Sequence, residues 1–207
     1  METATETPTP WSTGEPTRSP FALPRGLPGA FAGRLMLFTN RQQEVLDLLD
    51  VGPGADVLEI GYGPGGLIGL LERSPARRIC GADPSPRMRD MAARRHRAGI
   101  ASGRIDLRLG TADRTGFGDA EFDRVVSVNN VAIWPDLEAG LGEAHRVTRP
   151  GGRVLIAWHG GTRPSRIARS LALPGEKLAR IEHGLRVLFR DVTRHELTAL
   201  TLFSAVR

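Results

Sequence analysis

The sequence predicts an α/β fold: a doubly wound, mostly parallel seven-stranded sheet whose last two strands form an antiparallel hairpin at one edge. Three observations predict it. Apolar, β-favouring runs alternate with helix-length segments from residue 56 to residue 158, the pattern that builds a parallel sheet covered on both faces. The first run, Val57-Leu-Glu-Ile60, passes directly into four glycines within six positions, Gly61, Gly63, Gly65 and Gly66, and then into the apolar stretch Leu67 to Leu71. That reads as strand, tight turn and helix, with a backbone a ligand can approach closely and free N–H groups at the helix start. Last, Val187 to Asp191 and Thr198 to Val206 read as two strands joined by a short turn.

In chain order, residues 1–33 are rich in Pro, Thr, Gly and Ser, with prolines at 8, 10, 16, 20, 24 and 28. Such a segment buries too little apolar surface to fold alone. It reads as a disordered leader or, through Phe21, Leu23 and Phe31, as a lid over a site. Residues 34–207 read as a single domain of a size that can bury a full core. Leu35, Leu37, Phe38, Val45, Leu46, Leu48 and Leu49 lay an apolar stripe along a first helix, which Gly52-Pro-Gly54 stops. Strand Asp56 to Ile60, helix Gly65 to Arg73, strand Arg77 to Ala82 and helix Pro86 to Ala98 follow. Next come strands Arg104 to Leu109 and Phe122 to Val128, then helix Asp136 to Val147, ended by Arg149-Pro-Gly-Gly152, and strand Arg153 to Trp158. Pro164 to Leu171 and Glu176 to Gly184 read as weaker helices before the final hairpin.

Composition narrows the function. No apolar run approaches the roughly 20 residues that span a membrane, and no basic-then-apolar leader is seen, so the expected location is the cytoplasm. Cys80 is the single cysteine; in the strand-like Arg78-Ile-Cys-Gly-Ala82 it reads as a small core residue, not a nucleophile or zinc ligand. The net charge of +5 raises a nucleic-acid partner, but all of the 28 Lys and Arg residues except Lys177 are arginine and they are spread along the chain. The tightest run, Arg87 to Arg97, falls on a helix together with Asp90, which reads as a solvated face. A nucleic-acid partner is therefore not expected.

The glycine turn calls for a nucleotide-like ligand. Gly61, Gly63 and Gly66 satisfy G-x-G-x-x-G, and Asp83 lies 22 residues after Gly61, where a dinucleotide fold puts its ribose carboxylate. Three features argue against a dinucleotide. Glu59 stands two residues before the first glycine, and an anion there gives a pyrophosphate nothing, whereas it suits a ligand bearing an ammonium and a sulfonium. A helix precedes the first strand, and only about fifty residues follow the fifth, too few for a separate substrate domain.

From about Phe38 to Ile156 the sequence resembles the class I S-adenosylmethionine-dependent methyltransferases of the broad small-molecule type. The resemblance rests on five motifs in order: Val57-Leu-Glu-Ile-Gly-Tyr-Gly-Pro-Gly65, Gly81-Ala-Asp-Pro-Ser85, Gly110-Thr-Ala-Asp113, Phe122-Asp-Arg-Val-Val126 and Arg146-Val-Thr-Arg-Pro-Gly-Gly152. It implies a Rossmann-like sheet, S-adenosylmethionine as cofactor and S-adenosylhomocysteine as product. The backbone at Gly61, Gly63 and Gly65 would then receive the methionine portion, with Glu59 near its ammonium and Tyr62 in contact with the cofactor. Asp83 would take both ribose hydroxyls, since one carboxylate accepts two hydrogen bonds side by side. Pro84, Ser85 and Met88 would flank the adenine, with Asp113 accepting from its amino group and the Ala112 N–H facing a ring nitrogen. Asn129, Asn130 and Val131 would line the methyl-donor end. The plainer alternatives are a turn-opening Asp83-Pro84 and a loop cap at Asp113.

Methyl transfer from a sulfonium needs alignment and a dry site more than a strong base. No triad or metal motif is visible. His159, after the fifth strand and beside Gly160-Gly161, is the candidate base, while His96, His145, His183 and His195 read as structural. Trp134-Pro135 reads either as a substrate wall or as the apolar plug that opens the next helix. The Asn129-Asn-Val-Ala run departs from the Asn/Asp-Pro-Pro-aromatic signature of amino-group methylation on nucleobases, and no acidic double-Glu loop of the protein-arginine type is present. A small-molecule acceptor is the expectation. An RNA or protein acceptor, or a cofactor-binding protein without transferase activity, are the alternatives, and the sequence is silent on oligomeric state.

Overall fold

The computed structural model describes residues 9–15 and 42–207. The expected leader or lid, with Phe21, Leu23 and Phe31, and the start of the first helix lie outside the described residues. Helix α1 (Gln43–Leu49) leads into β1 (Asp56–Ile60), α2 (Gly66–Leu71), β2 (Arg78–Asp83), α3 (Pro86–Arg95), α4 (Arg97–Ala101) and β3 (Ile105–Leu109). Then come β4 (Phe122–Val128), a 3-10 turn (Val131–Ile133), α5 (Leu137–Val147), β5 (Thr148–His159), α6 (Arg166–Ser170), α7 (Gly175–Leu188), β6 (Arg190–Glu196) and β7 (Leu200–Val206).

The seven strands form one sheet in the order β3-β2-β1-β4-β5-β7-β6. The first five are parallel to their neighbours, and β7 runs antiparallel to both β5 and β6. Order reverses between β1 and β4, so the loops after these strands open a crevice at the carboxyl edge, the ligand position of open α/β sheets. Strand β1 is buried along its whole length, as expected for a central parallel strand covered on both faces. One face packs Leu58, Ile60, Val125, Val154 and Ile156 against α5 and α7 through Leu141, Ile181 and Leu185. The other packs Val57, Val126, Leu155 and Ala157 against α1 and α2 through Val45, Leu49, Leu67 and Leu71.

Three boundaries differ from the sequence reading. Val187 and Leu188 end α7 and do not open a strand; the edge strand begins at Arg190. Buried Leu178, Ile181 and Leu185 carry the helical stripe to that point, whereas β6 is mostly exposed and polar (Arg190, Asp191, Arg194, His195, Glu196) and shows no apolar alternation. Charged residues on an edge strand discourage pairing with other chains. Helix Pro86 to Ala98 is broken at His96, whose φ of −107° and ψ of 26° separate α3 from α4. Strand β5 starts five residues early, at Thr148, because Thr148 already pairs with Phe122 while Gly151 turns at a φ of 78°.

At the amino edge, far from the crevice, buried Asp56 takes Arg77 at 2.5 Å and Arg149 at 3.0 Å, and its N–H donates to Asp123 at 2.8 Å. Despite partial desolvation, the Asp56 amide and the Arg149 guanidinium hold the Asp123 carboxyl below the usual range. This cluster anchors β1, β4 and β5 to one another at the edge opposite the crevice.

Candidate cofactor site

The glycine turn is built by backbone geometry that side chains resist. Gly61 has a φ of 78°, and a Cβ there would lie 2.2 Å from Asn130 Nδ2. Gly65 has a φ of 81° and caps α2; Gly63, at 52°, has no atom within 4 Å of where a Cβ would stand. The inner side of the turn is thus filled, and the Gly63 side is open to a guest. Gly61 N–H donates to Ala82 O at 2.7 Å, and Gly63 N–H donates to Asp83 Oδ2 at 2.9 Å, so the turn is tied to the end of β2.

Two carboxylates face this turn. Glu59 is buried, and its Oε2 has no hydrogen-bond partner. Burial, reinforced by the Asp83 charge, holds its carboxyl well above the ordinary range, while the Ile68 amide partly offsets this. Asp83, also buried, accepts from the Gly63 and Ser85 amides at 2.9 Å each; desolvation exceeds these hydrogen bonds and pushes its carboxyl up to about 6. A buried, orphaned carboxylate oxygen is costly unless a donor or cation meets it. The pair therefore fits a cationic ligand with hydroxyl donors, as S-adenosylmethionine is.

The other expected site residues fall around the crevice in different ways. Ser85 caps α3, its Oγ accepting from Met88 N at 3.3 Å; Met88 is buried and Pro84 exposed. Gly110 N–H donates to Asp83 O at 3.2 Å. This brings the following turn, closed between Thr111 and Arg114, beside Asp83, with Ala112 buried and Asp113 exposed. Asn129 directly follows β4 at a φ of 57°, and its N–H donates to Ala157 O at 2.9 Å. Val131 is fully buried. His159 ends β5 with its ring 5.2 Å from that of Trp158, and desolvation holds its imidazole below the ordinary range. It is therefore neutral at pH 7, with one ring nitrogen able to take a proton.

Tyr62, expected on the turn in contact with the cofactor, turns its ring inward. Its ring is 2 % exposed and packs where a Cβ on Gly81 would stand, and its hydroxyl donates to Arg108 O at 3.3 Å. The side chain belongs to the core beneath β2 and β3, and only its backbone remains on the turn. Trp134 resolves into the plug: it is buried against Gly140, and its indole N–H donates to Asn130 Oδ1 at 2.7 Å. Cys80 is buried, with its thiol pushed up to about 12 by desolvation.

Sequence reasoning missed what Asn130 does. Its Nδ2 donates to Ile60 O at 2.8 Å, and its Oδ1 accepts from Ser127 Oγ and Trp134 Nε1, both at 2.7 Å. One side chain thus joins the ends of β1 and β4 to the plug. Asn130→Ala is expected to destabilise the fold by roughly 2–4 kcal/mol, because it leaves several buried polar groups unpaired; chemical denaturation of the ligand-free protein measures it. Equally unforeseen, Trp11 docks on the 3-10 turn after β4, its indole N–H donating to Val131 O at 2.7 Å and its backbone N–H to Trp134 O at 2.9 Å. Ser12 Oγ adds a bond to Ala132 O at 2.6 Å, and Arg180 lies 5.1 Å over the indole. A tryptophan in a proline-rich stretch was the only sequence signal.

Among the described residues, no group of three or more His, Cys, Asp or Glu side chains could hold a metal ion, and no helix is long and apolar enough to cross a membrane.

Known proteins share this fold. The methyltransferase domain family matches residues 58–156. The methyltransferase YdaC of Bacillus subtilis is 31 % identical over 128 residues, which cover 60 % of this chain and 68 % of YdaC. Nocamycin O-methyltransferase of Saccharothrix syringae is 35 % identical over 115 residues, 54 % of this chain but 40 % of that enzyme. A crystal structure of an S-adenosyl-L-methionine-dependent methyltransferase from Methanococcus maripaludis superposes with a TM-score of 0.68 at 17 % identity, over 86 % of this chain and 92 % of that one. The chain belongs to the class I S-adenosylmethionine-dependent methyltransferases, enzymes whose methyl donor is S-adenosylmethionine.

Proposed function

We propose that the protein transfers the methyl group of S-adenosylmethionine to a small-molecule acceptor by in-line displacement. The observation that carries the reading is the pair of buried carboxylates, Glu59 and Asp83, beside a glycine turn open on the Gly63 side. In this reading Glu59 and the backbone of Gly61, Tyr62, Gly63 and Gly65 hold the methionine end. Asp83 holds the ribose, Pro84, Ser85 and Met88 flank the adenine, and Ala112 and Asp113 meet its edge. Asn129 and Val131 border the methyl-donor end, where Asn130 acts through the backbone it braces. When bound, the sulfonium supplies an already activated methyl group, so the chain's residues have to align the acceptor and exclude water.

The small-molecule acceptor draws support from a relative named for nocamycin O-methylation and from the absence of a nucleobase-type signature after β4. His159, neutral and at the end of β5, is the group suited to take a proton from an acceptor hydroxyl or amine. The test incubates the protein with methyl-labelled S-adenosylmethionine and a panel of metabolites, RNA and protein extract. Label is expected in a low-molecular-weight product. Transfer only to RNA or protein, or to nothing in a protein that binds the donor, would sink the reading. His159→Ala should lower kcat by about 100-fold with unchanged affinity for S-adenosylhomocysteine, the lower end of general-base effects; an unchanged kcat removes His159 from the chemistry.

A further inference from the structure

Below the glycine turn, on the far side from the open Gly63 face, lies a buried histidine that the mechanism does not use. His96 is 3 % exposed and stands at the break between α3 and α4, so its ring leaves the helical stripe and reaches α2. Its Nε2 lies 2.9 Å from Gly65 O, and its Nδ1 lies 2.6 Å from Glu72 Oε2. A Cβ on Gly65 would sit 2.7 Å from Nε2, and one on Gly69 would sit 3.2 Å from Cε1. Glycine at both positions is what lets the ring in. A carbonyl oxygen only accepts, so Nε2 carries a proton and donates it to Gly65. Glu72 at the end of α2 likewise only accepts as a carboxylate, so Nδ1–H donates to it, and the ring, a donor at both nitrogens, is held in one plane between the two acceptors.

We propose that His96, oriented by Glu72, is a positioning residue for cofactor binding: it grips the Gly65 carbonyl from beneath and sets the turn before the ligand arrives. Gly65 is the residue at which the chain passes from the turn into α2, in a left-handed conformation with no side chain to fix it. Its carbonyl also accepts from Gly69 N–H at 3.2 Å, a long bond that the imidazole supplements. The Gly65 carbonyl and the Gly66 N–H belong to one planar trans peptide and point in opposite directions. A carbonyl drawn onto His96 therefore aims the Gly66 N–H, which has no partner within the helix, away from the core. The turn is preorganised, so less conformational entropy is lost when a ligand is held.

The inference rests on the cofactor reading of this turn, and the experiment separates the two. Wild type, His96→Ala, Glu72→Leu and Glu72→Gln are titrated with S-adenosylhomocysteine by calorimetry below their melting temperatures, and amide hydrogen exchange of residues 61–69 is followed without ligand. His96→Ala and Glu72→Leu are expected to raise Kd about 5- to 20-fold and to speed exchange at Gly65, Gly66 and Gly69, with acceptor KM unchanged. Glu72→Gln keeps a side-chain oxygen that accepts from Nδ1–H, leaves the Nε2–H on Gly65, and should bind like wild type. If His96→Ala does not fold, the Glu72 pair carries the test, because that side chain is 30 % exposed. Wild-type Kd and wild-type exchange in the folded His96→Ala or Glu72→Leu variant would overturn the inference. Equal losses in Glu72→Leu and Glu72→Gln would overturn the orienting role of Glu72. A wild type that shows no heat with S-adenosylhomocysteine would overturn the cofactor reading, while the exchange data would still report whether His96 sets the turn.

Discussion

Replacing Asp83 with alanine is expected to weaken S-adenosylhomocysteine binding by about 1.5–3 kcal/mol, roughly 10- to 150-fold in Kd, the scale of hydrogen bonds to a charged group. Asp83 ends β2 inside the crevice, and its two oxygens each accept from a backbone amide, Gly63 on one side and Ser85 on the other. Those bonds leave lone pairs on both oxygens for ribose hydroxyls and hold the carboxylate in one plane. The substitution therefore removes the ribose acceptor and unties the glycine turn from β2. Asp83→Asn keeps one acceptor but turns an amide NH2 toward a backbone N–H, so it should recover little. Isothermal titration gives the answer, and unchanged affinity in Asp83→Ala would mean the ribose lies elsewhere.

The second large effect concerns Glu59 and has opposite signs with and without ligand. Its Oε2 is buried and unpartnered, and its carboxyl is held well above the ordinary range by desolvation and then by Asp83. Glu59→Gln removes the buried charge while keeping an acceptor for the Ile68 amide. At pH 8 the ligand-free variant is expected to be more stable than wild type by about 1–3 kcal/mol, the desolvation scale of a buried polar group. It should also bind S-adenosylhomocysteine at least tenfold more weakly, because the ammonium loses its counter-charge. Thermal melts with and without ligand measure both effects; a variant that is less stable in the ligand-free state would refute the assignment of strain to this oxygen.

The pH dependence follows with the same sign. Asp83 is pushed up to about 6 in the fold, above the value of about 3.9 for an unfolded aspartate, so the folded ligand-free protein binds the proton more tightly. The stability this gives is fully present below the unfolded value and is lost as pH rises through about 6. Glu59 contributes in the same direction at higher pH. Cofactor affinity runs the other way: the cation and hydroxyls need the ionised carboxylates, so Kd should fall as pH rises from 5 toward 7.5. A flat binding profile across that window would count against both carboxylates. In the proposed reading, ligand-free stability is given up to keep two carboxylates for a cationic guest, a trade commonly made at functional sites.

Much of the fold was legible because its signals are local. Strands β1, β2 and β4 read as apolar runs since a central parallel strand is buried on both faces, and the glycines after β1 are required by positive φ and close approach at Gly61 and Gly65. The edge strand β6 was misplaced toward Val187 because it buries little and so carries no apolar pattern, while α7 keeps its stripe to the end. The break at His96 was invisible, since nothing in Arg94-Arg-His-Arg97 disfavours a helix locally; a hydrogen bond to Gly65, 31 positions away, accompanies it.

The site divides in the same way. The sequence by itself determined the glycine turn, Glu59 before it and Asp83 at the end of the next strand, the residues proposed to meet the cofactor, because backbone freedom and charge are properties of residue types at fixed spacing. Only the tertiary structure decided which side chains brace that site. Tyr62 sits on the turn in sequence, yet its ring lies in the core. Asn130 and His96 reach the turn from residues 69 and 31 positions away, and Trp11 braces the 3-10 turn after β4 from 120 positions away. Such partners are chosen by the closing of the sheet and the packing of helices on its two faces, which bring together buried donors and acceptors that no spacing along the chain foretells.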